Sequence, residues 1–386
     1  MRPLIMETFD GLRQQNVLTV KEAKEKGKKV VGMYCLFSPQ ELVLAADALP
    51  VSLCGTKEDP IAAAEKVLPR NLCPLIKSSY GFAITDTCPY FFFSDLIVGE
   101  TTCDGKKKMY EILQRVKPMH VMSLPQGPGK DELEWWEREL LKFKQRLEQE
   151  FGVEITEEKL RQAIILVNRE RTVMRELHQL AKNRPSPISG LDLLLALWLK
   201  GFNVDKEDGI SLISRLVAEV KEIADKGKSP FAQDAPRILL TGCPVGIGSE
   251  KVIRIIEESG GSVVALENCS GYRSLDLLVD ENPKKDPILA LAEKYLEIPC
   301  SCLSPNPGRI EVVTRLARDY AADGVVDLTW QACHTFNVES YLIREHVRQT
   351  LGIPFLQIET DYSTADTQTL GVRIAAFLEM AREKKQ

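Results

Sequence analysis

Short apolar runs alternate with amphipathic helical patterns twice in this chain, on either side of a long charged middle, and this repeated alternation restricts the fold more than any other feature. In the first half the runs are Val30-Val31-Gly32-Met33-Tyr34, Val51-Ser52-Leu53, Leu96-Ile97-Val98 and His120-Val121-Met122, with helical patterns at Pro39 to Ala48 and Lys106 to Val116. In the second half they are Arg237-Ile238-Leu239-Leu240, Ser262 to Leu266, Gly324 to Leu328 and Pro354 to Ile358. Helical patterns there cover Ser249 to Ser259, Pro287 to Tyr295, Ile310 to Tyr320, Glu339 to Leu351 and Thr369 to Lys385. A strand returned to a parallel neighbour through a helix is a βαβ unit, so the pattern predicts an α/β fold of two Rossmann-like domains, each a doubly wound, mostly parallel sheet.

Between them, Leu133, Trp136, Leu140, Leu141 and Phe143 mark one face of a helix over Lys130 to Phe151. Thr156 is placed to cap a second helix through Leu160, Ile164, Val167 and Met174. A break at Arg184-Pro185-Ser186-Pro187 precedes an apolar helix at Leu191 to Leu199. The expected organisation is an N-terminal α/β domain over 1–129, a helical linker or cap over 130–234 and a C-terminal α/β domain over 235–386.

Charge and hydropathy narrow the partners. A formal net charge of -5 argues against nucleic acid, and the basic runs at Lys21 to Lys29 and Lys106-Lys107-Lys108 read as solvated faces. Leu191 to Leu199 is too short to span a bilayer, and the N-terminal residues have no apolar signal region. A reducing cytoplasm is therefore the expected setting, and there ten cysteines need a use other than disulfides.

Their placement offers one. Cys35 and Cys243 each close the first strand of their half, and Cys54 and Cys269 follow the second. Cys73, then Cys300 or Cys302, come next, and Cys103 and Cys333 close later strands. Loops at the carboxyl ends of parallel strands converge on one crevice, so cysteines there would meet at a cleft between domains. Structural zinc and redox dithiols favour C-x-x-C pairs, which are absent, whereas an iron–sulfur cluster accepts thiolates from distant loops. Scattered core cysteines remain the competing reading, and Cys54 and Cys88 fit it best. Proline follows Cys73, Cys88 and Cys243, and the stretch from Cys243 to Glu250 opens a helix but lacks the Gly-Lys-Ser/Thr of a phosphate loop. His334, beside Cys333, is a candidate proton donor, and Glu267 and Glu359, ending strand-like runs, are candidate proton relays or loop caps. Lys77 and Arg309 either neutralise cluster charge or lie on the surface, and Tyr34, Trp330 and Phe91-Phe92-Phe93 read as core or cleft wall.

Several of these residues also resemble a known family. Cys35 with Pro39-x-Glu41-Leu42, Leu72-Cys73-Pro74-Leu75-Ile76-Lys77-Ser78, Thr102-Cys103-Asp104, Asn168-x-x-Arg171 and Trp330-Gln331-Ala332-Cys333-His334 are similar to the 2-hydroxyacyl-CoA dehydratase and benzoyl-CoA reductase D-component family. So are Glu359-Thr360-Asp361-Tyr362-Ser363 and Arg373-x-x-Ala376-Phe377-Leu378-Glu379. The resemblance implies a cubane of four irons and four sulfides on Cys73, Cys103 and Cys333, supplied with low-potential electrons by an ATP-hydrolysing activator protein that carries its own cluster. Cys243, Cys269 and Cys300 make the chain look like the double-cubane branch, in which two cubanes share a bridging sulfide, with Cys302 or Cys35 as alternatives for a member of that second triplet. The implied protein is a homodimeric reductase of a small molecule. The alternatives are a single-cubane subunit of a 2-hydroxyacyl-CoA dehydratase, and an electron carrier without enzymatic turnover.

Overall fold

The computed structural model describes residues 1–383. β1 (Val30–Met33), β2 (Leu49–Ser52), β3 (Leu96–Glu100) and β4 (Met119–Met122) form one parallel sheet in the order β2-β1-β3-β4. β5 (Arg237–Gly242), β6 (Ser262–Glu267), β7 (Gly324–Trp330) and β8 (Phe355–Thr360) form a second, in the matching order β6-β5-β7-β8. Both sheets are thus wound alike. Helices cover both faces, which is why β3, β5, β6 and β7 are buried along their whole length and read as continuous apolar runs.

In each sheet the chain adds one strand on one side and then crosses back to the other. The switch in direction lies between β1 and β3 in the first sheet and between β5 and β7 in the second. Cys35 and Cys103 follow β1 and β3, and Cys243 and Cys333 follow β5 and β7. Four cysteines therefore stand beyond the two switch points, the position at which doubly wound sheets open a ligand crevice.

Helical boundaries follow local chemistry. The pattern over Pro39 to Ala48 becomes a helix only at Gln40–Ala45, because Pro39 is extended (φ -70°, ψ 113°) and Asp47 takes a positive φ of 57° that ends the turn. The helix expected over Lys106 to Val116 spans Asp104–Leu113, started by the Cys103 thiol, which accepts from Lys106 N at 3.4 Å. Thr156 caps Glu157–Leu180 as expected, its hydroxyl accepting from Lys159 N at 3.3 Å.

The middle helices are more than a cap. Gly190–Leu199 is buried almost all round and packs against β6 and against an N-terminal helix, Met6–Glu25, that the apolar pattern did not reveal. Lys130–Phe151 packs on Pro287–Leu296 of the second half, and Glu157–Leu180 packs on Gln40–Ala45 of the first. One hydrophobic core runs through all three parts, with Trp136, Leu140, Phe143, Leu177 and Leu194 inaccessible within it.

A buried polar junction ties the same three parts. Arg171, on Glu157–Leu180, forms an ion pair at 2.8 Å with Glu41, on Gln40–Ala45. Arg171 Nη2 also donates to the Tyr295 hydroxyl at 2.8 Å, and that hydroxyl donates to Glu41 Oε2 at 2.7 Å. Pro39-x-Glu41 and Asn168-x-x-Arg171, read separately in the sequence, are two sides of one contact.

Candidate functional site

The carboxyl ends of both sheets and the middle helices enclose one cavity of about 1490 Å³. Nine of the ten cysteines line it, and all ten are free thiols. Cys88 is the exception; its sulfur accepts from Phe91 N at 3.5 Å and caps Pro89–Phe93. Cys54, expected to be a spectator, lines the cavity and donates to Tyr34 O at 3.1 Å. Tyr34 and Trp330 form wall as expected, but Phe91, Phe92 and Phe93 do not line the cavity.

The thiols fall into two groups. Cys73, Cys103 and Cys333 each occupy the residue before a helix, heading Pro74–Ile84, Asp104–Leu113 and His334–His346. Three helix N-termini thus face the cavity, and their dipoles favour an anion there. Cys243 joins this group: the thiol of Cys333 hydrogen-bonds with those of Cys73 and Cys243, which holds Cys333 well below the ordinary thiol range. The same contact with Cys333, added to burial, pushes Cys73 up, and burial followed by Cys333 pushes Cys243 up.

The resemblance had grouped Cys243 with Cys269 and Cys300. Pairing of β5 with β7 moves it: Cys243 N donates to Leu328 O at 2.8 Å, and Trp330 N donates to the Cys243 sulfur at 3.3 Å, three residues before Cys333. Ala332 adopts a left-handed φ of 59° immediately before Cys333. That conformation costs a non-glycine residue on the order of 1–3 kcal/mol and here aims the Cys333 thiol back toward its partners.

Cys269, Cys300 and Cys302 form the second group, with Cys35 close by. A hydrogen bond from Cys302 brings Cys300 down to about 6 against the effect of burial, and Arg273 assists. Burial raises Cys269 to about 11 although Arg273 Nη1 lies 3.7 Å from its sulfur. Cys302, rather than Cys243, is therefore the thiol that stands with Cys300. Among the described residues no three His, Cys, Asp or Glu side chains are gathered tightly enough for a single metal ion. An iron–sulfur cluster differs in that it spreads its thiolates over several irons.

Two cations serve these sulfurs. The Lys106 ammonium is buried and donates to Tyr34 O at 3.1 Å between Cys35 and Cys54, so only part of the run Lys106-Lys107-Lys108 is a solvated face. Arg273 is held by Glu267 through two hydrogen bonds of 2.9 Å. Arg309, fully buried, joins Glu267, Asp327 and Glu339 in the same network, and both guanidiniums stack over Phe336 at 5.5 and 4.9 Å.

The expected proton carriers fare differently. Glu267 is inaccessible beneath the cavity floor, where its charge is spent on Arg273 and Arg309, and it does not line the cavity. Glu359 is exposed, accepts from Asn337 Nδ2 at 3.2 Å and lies off the cavity as well. Neither carboxylate, each within an outer strand of the second sheet, is turned into the crevice, although Cys269 just beyond β6 reaches it. His334 does line the cavity, at its exposed rim. Lys77 instead pairs with Glu65 at 2.8 Å and donates to Arg70 O. The sequence pattern puts Lys106 on a solvated face and gives Arg273 no role, yet each leaves a trace. A lysine in the first turn of a helix opposes the dipole, and an arginine four residues after a cysteine can reach its sulfur.

Comparison with known proteins identifies the family. Residues 35–381 match the family described as 2-hydroxyglutaryl-CoA dehydratase, D-component. The chain is 49% identical over 379 residues, 98% of each sequence, to "Putative dehydratase subunit YjiM" of Escherichia coli. It is 25% identical to the beta chain of the (R)-phenyllactyl-CoA dehydratase of Clostridium sporogenes, covering 93% of this chain and 94% of that one. With one of the subunits of the benzoyl-CoA reductase of Thauera aromatica it shares 23% identity, covering 94% and 91%. With seven of the eight strands and all ten cysteines inside the matched span, the chain belongs to the 2-hydroxyglutaryl-CoA dehydratase D-component family.

Proposed function

We propose that this chain is an iron–sulfur reductase that holds a double-cubane cluster in the cavity, takes low-potential electrons from an ATP-hydrolysing activator with its own cluster, and reduces a small molecule. The observation that carries the proposal is the gathering of nine free cysteines around one cavity, eight of them in two groups. The residues fit such a group: thiols alone among the soft donors, three helix N-termini and two buried cations to offset anionic charge. Cys73, Cys243 and Cys333, with Cys103 adjoining, would hold one cubane; Cys269, Cys300 and Cys302, with Cys35 adjoining, the other. Bound there, the cluster supplies one-electron reduction at low potential.

The chain's own residues do the rest. Arg273 donates toward the Cys269 sulfur, and hydrogen bonds of that kind raise a cluster's potential. Tyr34, Trp330 and Leu303 wall off water, and His334 at the rim is the side chain placed to deliver a proton. On the helix headed by Cys333, Val338, Tyr341 and Leu342 form an exposed apolar stripe, which we assign to the homodimer contact.

Iron and acid-labile sulfide per chain, measured on protein purified without oxygen, test the proposal. About eight irons support two cubanes. About four favour the second reading, a single-cubane acyl-CoA dehydratase subunit, toward which the names of the relatives point. No iron would remove both.

A further inference from the structure

One stretch of the cavity wall carries more positive charge than it neutralises. Arg171, Lys200, Lys206 and Lys294 all line it. Two of the four are matched: Arg171 with Glu41 at 2.8 Å, and Lys206 with Glu170 at 2.9 Å. The other two are not. Lys294 is only 5% exposed, and its ammonium lies 3.8 Å from the centre of the Tyr295 ring with no carboxylate partner among the described residues. Lys200 reaches only the Ser274 hydroxyl, a neutral group.

Placing two cations near each other in a half-dry pocket is costly unless an anion joins them. Burial, against Glu170 and with Lys206 and Arg171, brings Lys200 down to about 7, and burial with Arg171 and Lys200, against Glu41, lowers Lys294 well below the ordinary lysine value. Core packing does not account for these side chains, because an apolar residue would fill either place without the penalty. Service to the sulfurs does not account for them either. Lys106 and Arg273 already stand at the thiols, and although Lys200 also lies near Cys269, Lys294 is surrounded by Arg171, Glu41 and Lys200.

We propose that Lys200 and Lys294 form an anion subsite that holds the oxyanion of a small substrate, a carboxylate or a phosphate, in the same cavity as the cysteines. Tyr295 and Ser274 fix the two ammoniums, and the nearest carboxylates, Glu41 and Glu170, are already paired with Arg171 and Lys206. The subsite deepens the reductase reading by naming the substrate class as anionic, but it rests on the cavity wall and does not require the metal.

Calorimetric titration of the anaerobically purified protein with inorganic phosphate, and separately with acetate, tests it. Saturable binding of either is expected, and the tighter of the two identifies the headgroup. Lys294→Met and Lys200→Met should each weaken that binding by about ten- to a hundred-fold, the value of a charge-assisted hydrogen bond, with iron per chain unchanged. The milder Lys294→Gln serves if the methionine variant does not fold. Absence of saturable binding of both anions, or unaltered affinity in the variants, overturns the subsite. Loss of iron in the variants with anion affinity retained would show that the lysines balance the cluster instead. Because the titration reads binding, it can succeed in a protein that proves to hold no iron, and it can fail in one that holds eight.

Discussion

Arg171→Met should be among the most damaging single changes distant from the cysteines. The substitution keeps the bulk of the side chain and removes a charge that is 4% exposed and pairs at 2.8 Å with a carboxylate that is fully buried. Burial raises the pKa of Glu41, and Arg171, then Lys294 and the Tyr295 hydroxyl, bring it below the ordinary carboxylate value. Removing one partner of a buried pair costs about 3–5 kcal/mol, because the other charge is stranded. Lys294 remains beside Glu41 and can take over part of the compensation, so the loss should fall near the lower bound, about 3 kcal/mol. Since the pair joins one half of the protein to the helix that docks on the other, the loss should be read in global unfolding. Urea denaturation followed by circular dichroism at several pH values is the assay.

The sign of the pH effect follows from Glu41. In the native protein its pKa is depressed, so its contribution is present above the unfolded value near 4.3 and is lost as pH falls through the depressed one. In the variant, burial dominates, the charged form is the unfavourable one, and protonation relieves it. The deficit should therefore be widest at neutral pH and narrow toward pH 5. Arg171→Met with Glu41→Gln should recover much of the loss, since removing both charges strands neither. A single variant within 1 kcal/mol of the parent, or a double variant no more stable than the single, would refute the reasoning.

Glu257 accepts from Gly190 N and is raised to about 7 by burial, so it favours folding while protonated and opposes it as pH rises from the ordinary carboxylate value through 7. Glu257→Gln should raise stability at pH 8 by on the order of 1–3 kcal/mol and have little effect at pH 5, as thermal unfolding at the two pH values would show. Ala332→Gly should stabilise the fold by about 1 kcal/mol, because glycine accepts φ of 59° without strain, while loosening the aim of Cys333; melting temperature and iron retention read the two effects. Cys300→Ala should lower iron per chain by about half, with loss of all iron or of none counting against two separate thiol groups.

Much of this protein is legible in one dimension. Parallel strands covered on both faces must be apolar throughout, so β3, β5, β6 and β7 announce themselves, and a hydroxyl before a charged periodic segment marks the cap at Thr156. Cysteines at the ends of those strands follow the same logic, since the ends of parallel strands meet. The helix Met6–Glu25 was not legible because it buries only Met6, Phe9, Asn16 and Val20, too sparse a stripe to stand out among its charges.

Local pattern determined the elements, their parallel pairing and which cysteines stand near a crevice. Tertiary structure alone decided which thiol faces which, that Lys106 and Arg273 turn inward to the sulfurs, that Glu267 turns away, and that Lys200 and Lys294 have no paired carboxylate among the described residues. The physical reason is range: strand and helix periodicity are set by neighbours a few residues away, whereas the charge balance of a cavity sums over side chains from helices and strands far apart in the chain.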